Sequence, residues 1–233
     1  MNLGEGRLLV VVGKVGSGKT SLLLSIMGET YIRSGTLSRR GSLAYVEQEP
    51  VIWSDSVRNN ILFGLPLNEQ RLQEVVRVCE LEQDLTQLVH GLDTQIGERG
   101  INLSGGQRAR ISLARACYSD ADIYLLDDPL SAVDPQVANN IFRFCIKGFL
   151  RKKAVLLATH RLSCLRGADE ILCLEKGECC FRGKYSEFTV HKALVPYYTA
   201  EKREEGPALS GPSESRQERE RRNLVEREEK DEG

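Results

Sequence analysis

GKVGSGKT, residues 13–20, joins an apolar run at residues 8–12 to a segment of helical character at residues 19–27. Its glycines and its Lys-Thr end follow the pattern G-x-x-x-x-G-K-[ST]. Glycines let the backbone wrap around a phosphate with its N–H groups pointing inward, and the positive end of the following helix adds to that attraction. The stretch therefore predicts a strand, a phosphate-binding turn and a helix, in that order.

The lysine and the hydroxyl residue at the end of this turn have separate predicted roles. Lys19 is expected to reach the β- and γ-phosphates of a nucleotide, and the Thr20 hydroxyl to bind Mg²⁺. A glycine-rich turn without a ligand is the alternative, which the flanking strand and helix disfavour. The predicted nucleotide contacts are Gly13, Val15, Gly16, Ser17, Gly18, Lys19, Thr20 and Ser21.

A phosphate-binding turn of this type also needs an acid that holds the metal. The apolar run at residues 123–126 ends in Asp127, and a buried strand that delivers a carboxylate at its C-terminal end is the Walker B arrangement. Asp127 is therefore a predicted Mg²⁺ ligand, directly or through water. A helix N-cap ahead of Pro129 is a second role, compatible with the first.

A second glycine-containing helix start, LSGGQ at residues 103–107, has the same physical character. Ser104 is a favourable N-cap, and the N–H groups at a helix start attract anions. One chain does not need two such starts for a single γ-phosphate, so this one is predicted to face a nucleotide bound by another subunit. An ordinary serine-capped helix is the alternative.

These motifs, with three shorter ones, resemble in order those of the ATP-binding cassette family. The shorter ones are AYVEQEP (44–50), SAVD (131–134) and VLLATH (155–160). The resemblance implies that Gln48 senses Mg²⁺ and the attacking water, and that Asp134 lies in a loop crossing a dimer interface. It implies that His160 touches the γ-phosphate. The residues implied to contact the partner's nucleotide are Ser104, Gly105, Gly106 and Gln107.

Three longer stretches are similar to the first nucleotide-binding domain of subfamily C transporters, the multidrug-resistance-associated type. They are residues 56–64, 88–134 and 176–188. The resemblance covers about residues 6–199. It implies an α/β fold: a RecA-like P-loop NTPase core with a parallel sheet and an inserted α-helical signature subdomain.

The same resemblance implies a function and a set of partners. The cofactors would be ATP and Mg²⁺, and ATP hydrolysis would be coupled to substrate export. The partners would be a second cassette, in a head-to-tail dimer, and the transmembrane domains of a transporter, which would hold the chain at the cytoplasmic face of a membrane. The alternative is a non-hydrolysing ATP-binding regulatory module of a channel or receptor.

One departure from the family pattern concerns catalysis. Efficient cassettes usually carry Glu after the Walker B aspartate, and this chain carries Asp128. The aspartate carboxylate lies roughly 1.5 Å further back, one C–C bond, and a misplacement of about 1 Å can cost about 100-fold in rate. With Gln48 and His160 as the other catalytic residues, a slow ATPase is predicted, although the intact LSGGQ could complete an efficient site on a partner.

A second departure concerns the N-terminus. Cassettes usually stack adenine on an aromatic residue upstream of the phosphate turn, but none of the 18 residues before Lys19 is aromatic. Base–aromatic stacking is worth about 1–3 kcal/mol, so a weaker nucleotide affinity is expected. The antiparallel β-layer is expected to be incomplete, as in a fragment of a longer transporter. Trp53 is either an anchor for a membrane domain or part of the helical core.

Composition limits the remaining possibilities. A net charge of −1 in 233 residues gives no basic surface that asks for nucleic acid, and no apolar run approaches the roughly 20 residues of a membrane-spanning helix. Seven cysteines without a C-x-x-C pair predict buried small apolar residues, neither a disulfide framework nor a zinc site.

Residue patterns divide the chain into two parts. Apolar strands alternating with helices predict an α/β nucleotide-binding domain over residues 1–200, interrupted by a helical block at about 55–118. Residues 201–233 carry 19 charged residues of 33 and predict a disordered tail or linker, because such a segment buries too little apolar surface to order itself.

Overall fold

Six strands form one sheet in the computed structural model, which describes residues 3–97 and 103–191. The strands are β1 (Leu8–Val12), β2 (Leu43–Val46), β3 (Ile123–Asp127), β4 (Ala154–Ala158), β5 (Glu170–Glu175) and β6 (Glu178–Gly183). Their order is β2-β3-β4-β1-β5-β6, in which the first five are parallel and β6 is antiparallel to β5. The predicted α/β architecture with a parallel sheet is confirmed.

Helices follow the strands as predicted. They are α1 (Lys19–Met27), α2 (Val57–Leu62), α3 (Glu69–Val78), α4 (Glu82–Gln87), α5 (Gly105–Tyr118), α6 (Pro135–Asn140) and α7 (Tyr185–Val190). A π-helix at Ile141–Phe149 continues α6, and short 3₁₀ helices lie at Gly91–Asp93 and Leu162–Gly167. Helices α2 to α5 all lie between β2 and β3, in the predicted helical block.

The strand that precedes the phosphate turn lies in the middle of the core. All five residues of β1 are buried, as expected of a parallel strand covered on both faces. Leu23 and Ile26 of α1 belong to the same apolar cluster as Leu9 and Val11 of β1. Burial of this face of α1 fixes the helix, and with it the direction in which the turn presents its N–H groups.

The antiparallel part of the fold is small in the described residues. Among the strands, only β5 and β6 pair in antiparallel fashion, Ser56 and Gln95 form an isolated antiparallel bridge, and residues 29–42 contain no strand. The expected incomplete β-layer stays a prediction. Within the described ranges, none of the helices has the length and apolar character needed to cross a lipid bilayer. The charged segment 201–233 lies outside the described residues, as do residues 192–200, so its disorder stays a prediction.

No disulfide joins any of the seven cysteines, all of which lie in the described residues. Five are buried, as predicted: Cys79, Cys117, Cys145, Cys164 and Cys173. Cys179 and Cys180 are exposed, contrary to the expectation, because they lie on the edge strand β6, whose side chains are mostly exposed.

Candidate functional site

The register of the parallel strands brings the predicted motifs to one edge of the sheet. Val46 pairs with Leu126, and Ala158 pairs with both Asp127 and Val11. The carboxyl ends of four neighbouring strands therefore lie level with one another, which is where α/β sheets bind ligands. Each of these strands is followed by one of the predicted motifs.

The phosphate turn is shaped by its glycines and by the hairpin behind it. A Cβ on Gly13 would collide with the carbonyl oxygen of Leu174 and with Ser17 Oγ, so no larger residue fits. Gly18 has a φ of 100°, in the left-handed region that favours glycine. The Gly177 amide, in the β5–β6 turn, donates to the Ser17 carbonyl at 3.0 Å, so this hairpin supports the turn from behind.

Lys19 lies under the turn with its ammonium directed into it. Its side chain is buried, at 7% exposure, and Nζ donates to the carbonyl oxygens of Gly13 at 2.8 Å and Lys14 at 3.2 Å. Burial lowers the Lys19 pKa, and the nearby carboxylates of Asp128 and Asp127 oppose that effect. The ammonium is therefore poorly solvated and prepared for an anion.

Asp127 ends β3 in a pocket that suits a hard cation. The residue is 2% exposed, Tyr45 Oη donates to its Oδ2 at 3.4 Å, and the Thr20 side chain is hydrogen-bonded to it. Burial raises the Asp127 pKa, with a further increase from Asp128, while these two donors lower it. A desolvated carboxylate beside a hydroxyl oxygen offers the ligand atoms that Mg²⁺ prefers.

Asp128 is held in an uncommon backbone conformation next to His160. Its φ is 48°, and its Oδ1 accepts a hydrogen bond from Thr159 Oγ1 at 3.2 Å. Oδ2 lies 4.0 Å from His160 Nε2. Ser131 donates twice to the Asp128 carbonyl, from its amide at 3.2 Å and its hydroxyl at 2.9 Å. The carboxylate is thereby fixed between the ends of β3 and β4.

The residues present fit Mg²⁺ and a polyphosphate on three counts. Ser17 Oγ is buried and has no hydrogen-bond partner among the described residues. The Lys19 ammonium has lost solvent and needs an anion. The Asp127 carboxylate has lost solvent and needs a cation. A metal–phosphate complex supplies both charges and an acceptor for the hydroxyl.

The start of α5 is held by side chains of its own first turn. The Ser104 hydroxyl accepts from the Gln107 amide at 3.1 Å, and Gln107 Oε1 accepts from the Ser104 amide at 2.9 Å, a capping box. Asp84 of α4 accepts from Gln107 Nε2 at 3.1 Å and from Arg110 at 2.6 Å. The Gln107 side chain is thus occupied within the chain and positions the helix start.

Gly106 sets the distance between this helix start and the 131–134 loop. A Cβ on Gly106 would lie 2.9 Å from the Ala132 carbonyl oxygen, whereas one on Gly105 would lie 3.6 Å from Ala132 Cβ. The described contacts therefore join the LSGGQ motif to the 131–134 loop. Lys19, Asp127 and Asp128 form a separate group at the sheet edge.

The other predicted residues are placed as follows. Gln48 is exposed, two residues beyond the end of β2. Val15 is 90% exposed, so any role in binding comes from its backbone. Ser21 is exposed on α1, and Gly16 adopts a φ of 77°. Asp134 is the N-cap of α6 without a side-chain cap hydrogen bond, which leaves its carboxylate exposed.

Sequence reasoning missed the supporting residues. Tyr45 in β2 and Thr159 directly after β4 donate to the two carboxylates, but both segments read only as apolar runs. Arg161 Nη2 donates to the Val133 carbonyl at 2.6 Å and so ties the segment after His160 to the 131–134 loop. The weak signal for Thr159 and Tyr45 was a polar group near the end of each strand.

A second surface lies around Trp53, on the helical block. Trp53 is 45% exposed, and the Arg115 guanidinium lies 4.5 Å from its ring and 5.1 Å from the ring of Phe63. Arg115 is fixed by hydrogen bonds to the carbonyl oxygens of Asn60 at 2.8 Å and Val51 at 2.9 Å. A cleft of about 780 Å³ opens beside these rings. The ordered guanidinium holds both aromatic rings at the surface.

Comparison with known sequences gives consistent matches. The family profile described as ABC transporter matches residues 1–131. The chain is 51% identical over 183 residues to "ATP-binding cassette sub-family C member 4" of Mus musculus, and 49% identical over 183 residues to the protein of the same name in Homo sapiens. It is 48% identical over 189 residues to "Multidrug resistance protein" of Leishmania tarentolae.

These alignments cover most of the chain but little of each relative. The alignments with the mouse, human and Leishmania proteins cover 78%, 78% and 81% of the chain, respectively. They take in 14%, 14% and 12% of the relatives. The similarity is therefore to one region of much longer proteins.

Proposed function

Because the chain belongs to the ABC transporter family, we propose that it binds Mg-ATP at the Lys19 loop and couples slow hydrolysis to export by a transporter of the multidrug-resistance-associated type. The observation that carries this proposal is the meeting of one desolvated ammonium and two buried carboxylates at the ends of parallel strands. Lys19 supplies the cation, and Asp127 and Asp128 supply the anions. ABC domains in general bind ATP, usually with Mg²⁺.

Binding would exchange contacts that Lys19 already makes for contacts with phosphate. Its Nζ would turn from the carbonyls of Gly13 and Lys14 towards the β- and γ-phosphate oxygens, and the N–H groups of the turn would surround the same oxygens. Ser17 Oγ, buried without a partner in the described structure, would find its acceptor there. Thr20 and Asp127 would hold Mg²⁺.

Hydrolysis transfers the γ-phosphoryl group to water, and the protein contributes by positioning and charge. Asp128 would orient the attacking water, together with Gln48 and His160, which lie just beyond the ends of the neighbouring strands β2 and β4. Thr159 donates a hydrogen bond to one carboxylate oxygen of Asp128. The Asp128 side chain is one carbon shorter than that of the usual glutamate. Slow turnover at this site follows, because a displacement of about 1 Å reduces rate by roughly 100-fold.

The LSGGQ helix start would act on a nucleotide held by a second cassette. In the described residues its glycines lie against the 131–134 loop, its Gln107 side chain contacts Asp84, and Ser104 is exposed. An exposed, capped helix start with two small residues suits close approach of a phosphate on another chain. Ser104, Gly105, Gly106 and Asp134 are therefore assigned to a head-to-tail dimer interface, and Gln107 to shaping it.

The Trp53 surface would dock the transmembrane domains. Trp and Arg are enriched among residues that dominate binding energy, and here Arg115 keeps Trp53 and Phe63 exposed side by side. Such docking would hold the chain at the cytoplasmic face of a membrane, as in its much longer relatives.

One observation favours a second function, a non-hydrolysing ATP-binding module that regulates a channel or receptor. Asp128 is both short and restrained, by Thr159 and by its left-handed backbone. A complete loss of turnover would leave ATP as a ligand that only closes the dimer. Gln48 and His160, both present at strand ends, favour residual hydrolysis.

Nucleotide binding and phosphate release test the proposal. Calorimetry should show Mg-ATP binding that Lys19→Ala weakens by roughly 10- to 150-fold, since charge-assisted hydrogen bonds contribute about 1.5–3 kcal/mol. Phosphate release should then be measured on the chain mixed with a hydrolysing second cassette. Slow release that Lys19→Ala abolishes at this site supports the ATPase, and binding without any release supports the regulatory module. Unchanged affinity in Lys19→Ala contradicts both.

A further inference from the structure

Three cysteines from distant parts of the chain meet in the core, and none of them takes part in the proposed nucleotide site. Cys79 follows α3, Cys117 lies near the end of α5, and Cys145 lies in the π-helix. All three are buried, and their Sγ atoms lie within 4.8 Å of one another. Helix α3 packs against both α5 and the π-helix, so the cluster closes a junction of three helical elements.

We propose that this cluster of Cys79, Cys117 and Cys145 is a three-sulfur site for a soft metal ion, Cu(I). A metal about 2.3 Å from each of three thiolates requires sulfurs about 3.8–4.0 Å apart. The Cys117 and Cys145 sulfurs are 3.4 Å apart, and the limit for the set is 4.8 Å. These separations bracket the required value, so small side-chain rotations suffice.

The donor set selects the ion. Thiolates are soft ligands that select Cu(I), zinc and iron–sulfur clusters. A structural zinc site needs four ligands, and the metal-binding groups found together in the described residues are these three thiols. Three sulfurs without a carboxylate or imidazole fit a three-coordinate Cu(I) better than a tetrahedral Zn²⁺.

A buried tyrosine hydroxyl supports the site independently. Tyr124 is fully buried, and its hydroxyl has no hydrogen-bond partner among the described residues. It lies within electrostatic range of Cys117 and Cys145. A buried hydroxyl without a partner costs free energy, and a metal-bound thiolate of the cluster would be a strong acceptor for its O–H. Tyr124 is thereby a positioning residue of the site.

A nearby positive charge offsets the charge that thiolates bring. The Arg71 guanidinium donates to the carbonyl oxygens of Cys117 at 2.7 Å and Tyr118 at 2.9 Å, while also pairing with Asp120 at 3.2 Å. Each sulfur that binds the ion releases its S–H proton to solvent, and neither copper nor sulfur changes oxidation state. Arg71 therefore lowers the cost of burying the resulting negative charge.

Two features lie close to the buried cysteines, a cleft and a wide helical turn. A cleft of about 640 Å³ lies between the end of α3 and the π-helix, lined by Val78, Phe144 and Phe149. Val78 and Phe144 are the chain neighbours of Cys79 and Cys145. The Cys145 carbonyl accepts from the Leu150 amide at 2.9 Å, the wide π-type hydrogen bond that recurs at functional sites.

Anaerobic titration with Cu(I) tests the proposal without reference to ATP hydrolysis, so the two proposals can fail separately. The parent for the test carries Cys179→Ser and Cys180→Ser, which removes the exposed thiols. We expect one bound Cu(I) in competition with bicinchoninate, and three sulfur neighbours by X-ray absorption. Cys117→Ala and Cys145→Ala should each weaken binding at least tenfold, and Tyr124→Phe several-fold.

The control is Cys164→Ala, a buried cysteine outside the cluster, which should bind Cu(I) like the parent. Circular dichroism of each variant, with Mg-ATP affinity as a second check, separates lost binding from lost fold. The proposal is overturned if folded Cys117→Ala and Cys145→Ala both bind as well as the parent. It is also overturned if the parent binds no copper, or binds Zn²⁺ more tightly than Cu(I).

Discussion

Gly106 lies against the backbone of Ala132, so close that a single methyl group on Gly106 would sit 2.9 Å from the Ala132 carbonyl oxygen. This contact joins the start of α5 to the 131–134 loop within one chain. Both segments are proposed to face the second cassette. Because the two segments touch, a shift of the helix start on binding the partner's nucleotide would also move the loop that follows Asp128.

Gly106→Ala should therefore separate the two segments. We expect destabilisation of about 1–3 kcal/mol, the usual cost of overpacking, and loss of phosphate release in the mixed dimer with Mg-ATP affinity of the free chain unchanged. Gly105→Ala is the matched control for the stability of the free chain, because its Cβ would meet only Ala132 Cβ at 3.6 Å, an ordinary contact. Equal destabilisation of the free chain by the two variants would refute the steric argument.

Asp128→Glu should speed turnover at this chain's own site. The added methylene moves the carboxylate forward, and the gain expected from positioning is roughly 10- to 100-fold. A local cost accompanies it, because Asp tolerates a φ of 48° better than Glu does. Single-turnover phosphate release measures the gain, with Asp128→Asn as the inactive control. A turnover that is already fast and does not change would contradict the slow-site proposal.

Asp127→Asn should stabilise the ligand-free fold at neutral pH. Burial raises the Asp127 pKa in the folded chain, so its contribution to stability is present below its unfolded pKa and is lost as the pH rises through the folded pKa. Removing the ionised carboxylate should therefore raise Tm by a few degrees at pH 7, which corresponds to about 1 kcal/mol in the free energy of unfolding. In acid, where the carboxylate is protonated, Tm should not change. Thermal melts across pH measure the difference.

The same variant should lose the additional stability that Mg-ATP gives to the wild-type chain. Glu49→Gln, a substitution of an exposed acid, is the control and should match the wild type with and without ligand. A lower Tm for Asp127→Asn at pH 7, in the absence of Mg-ATP, would show that its hydrogen bonds outweigh its desolvation.

Arg115→Lys should loosen the Trp53 surface. Lysine cannot reproduce the planar guanidinium, which donates to Asn60 and Val51 while it stacks on the two aromatic rings. We therefore expect the free energy of unfolding to fall by about 1–3 kcal/mol. Trp53 is the only tryptophan of the chain, and its fluorescence reports on this site directly. Arg143→Lys, which affects an exposed arginine beside Phe144, should leave the emission unchanged.

Much of the sheet edge was predictable because its signals are local. Gly13 to Thr20 specify their turn through glycine positions and a following helix, and the apolar run before Asp127 specifies a buried strand. Parallel strands with helical connections then force these ends together, whatever the details of packing. The placement of Lys19 near Asp127 follows from those local patterns.

Contacts between distant segments could not be predicted in the same way. Asp84 binds Gln107 and Arg110, and nothing in the α4 sequence indicates its partner. The three-cysteine cluster is a stronger case. Spacing along the chain argued against a metal site, whereas helix packing brings Cys79, Cys117 and Cys145 together. Side-chain proximity across helices depends on crossing geometry, which single-sequence periodicity does not contain.

The neighbours of β1 have a consequence for biosynthesis. The strand that leads into the phosphate turn is hydrogen-bonded to β4 on one side and β5 on the other, and both are made more than 140 residues later. A nascent chain on the ribosome would thus expose an apolar, unpaired β1 until both of those strands have been synthesised. The turn would become competent only when the Gly177 amide arrives, so this motif matures after segments that follow it in the chain.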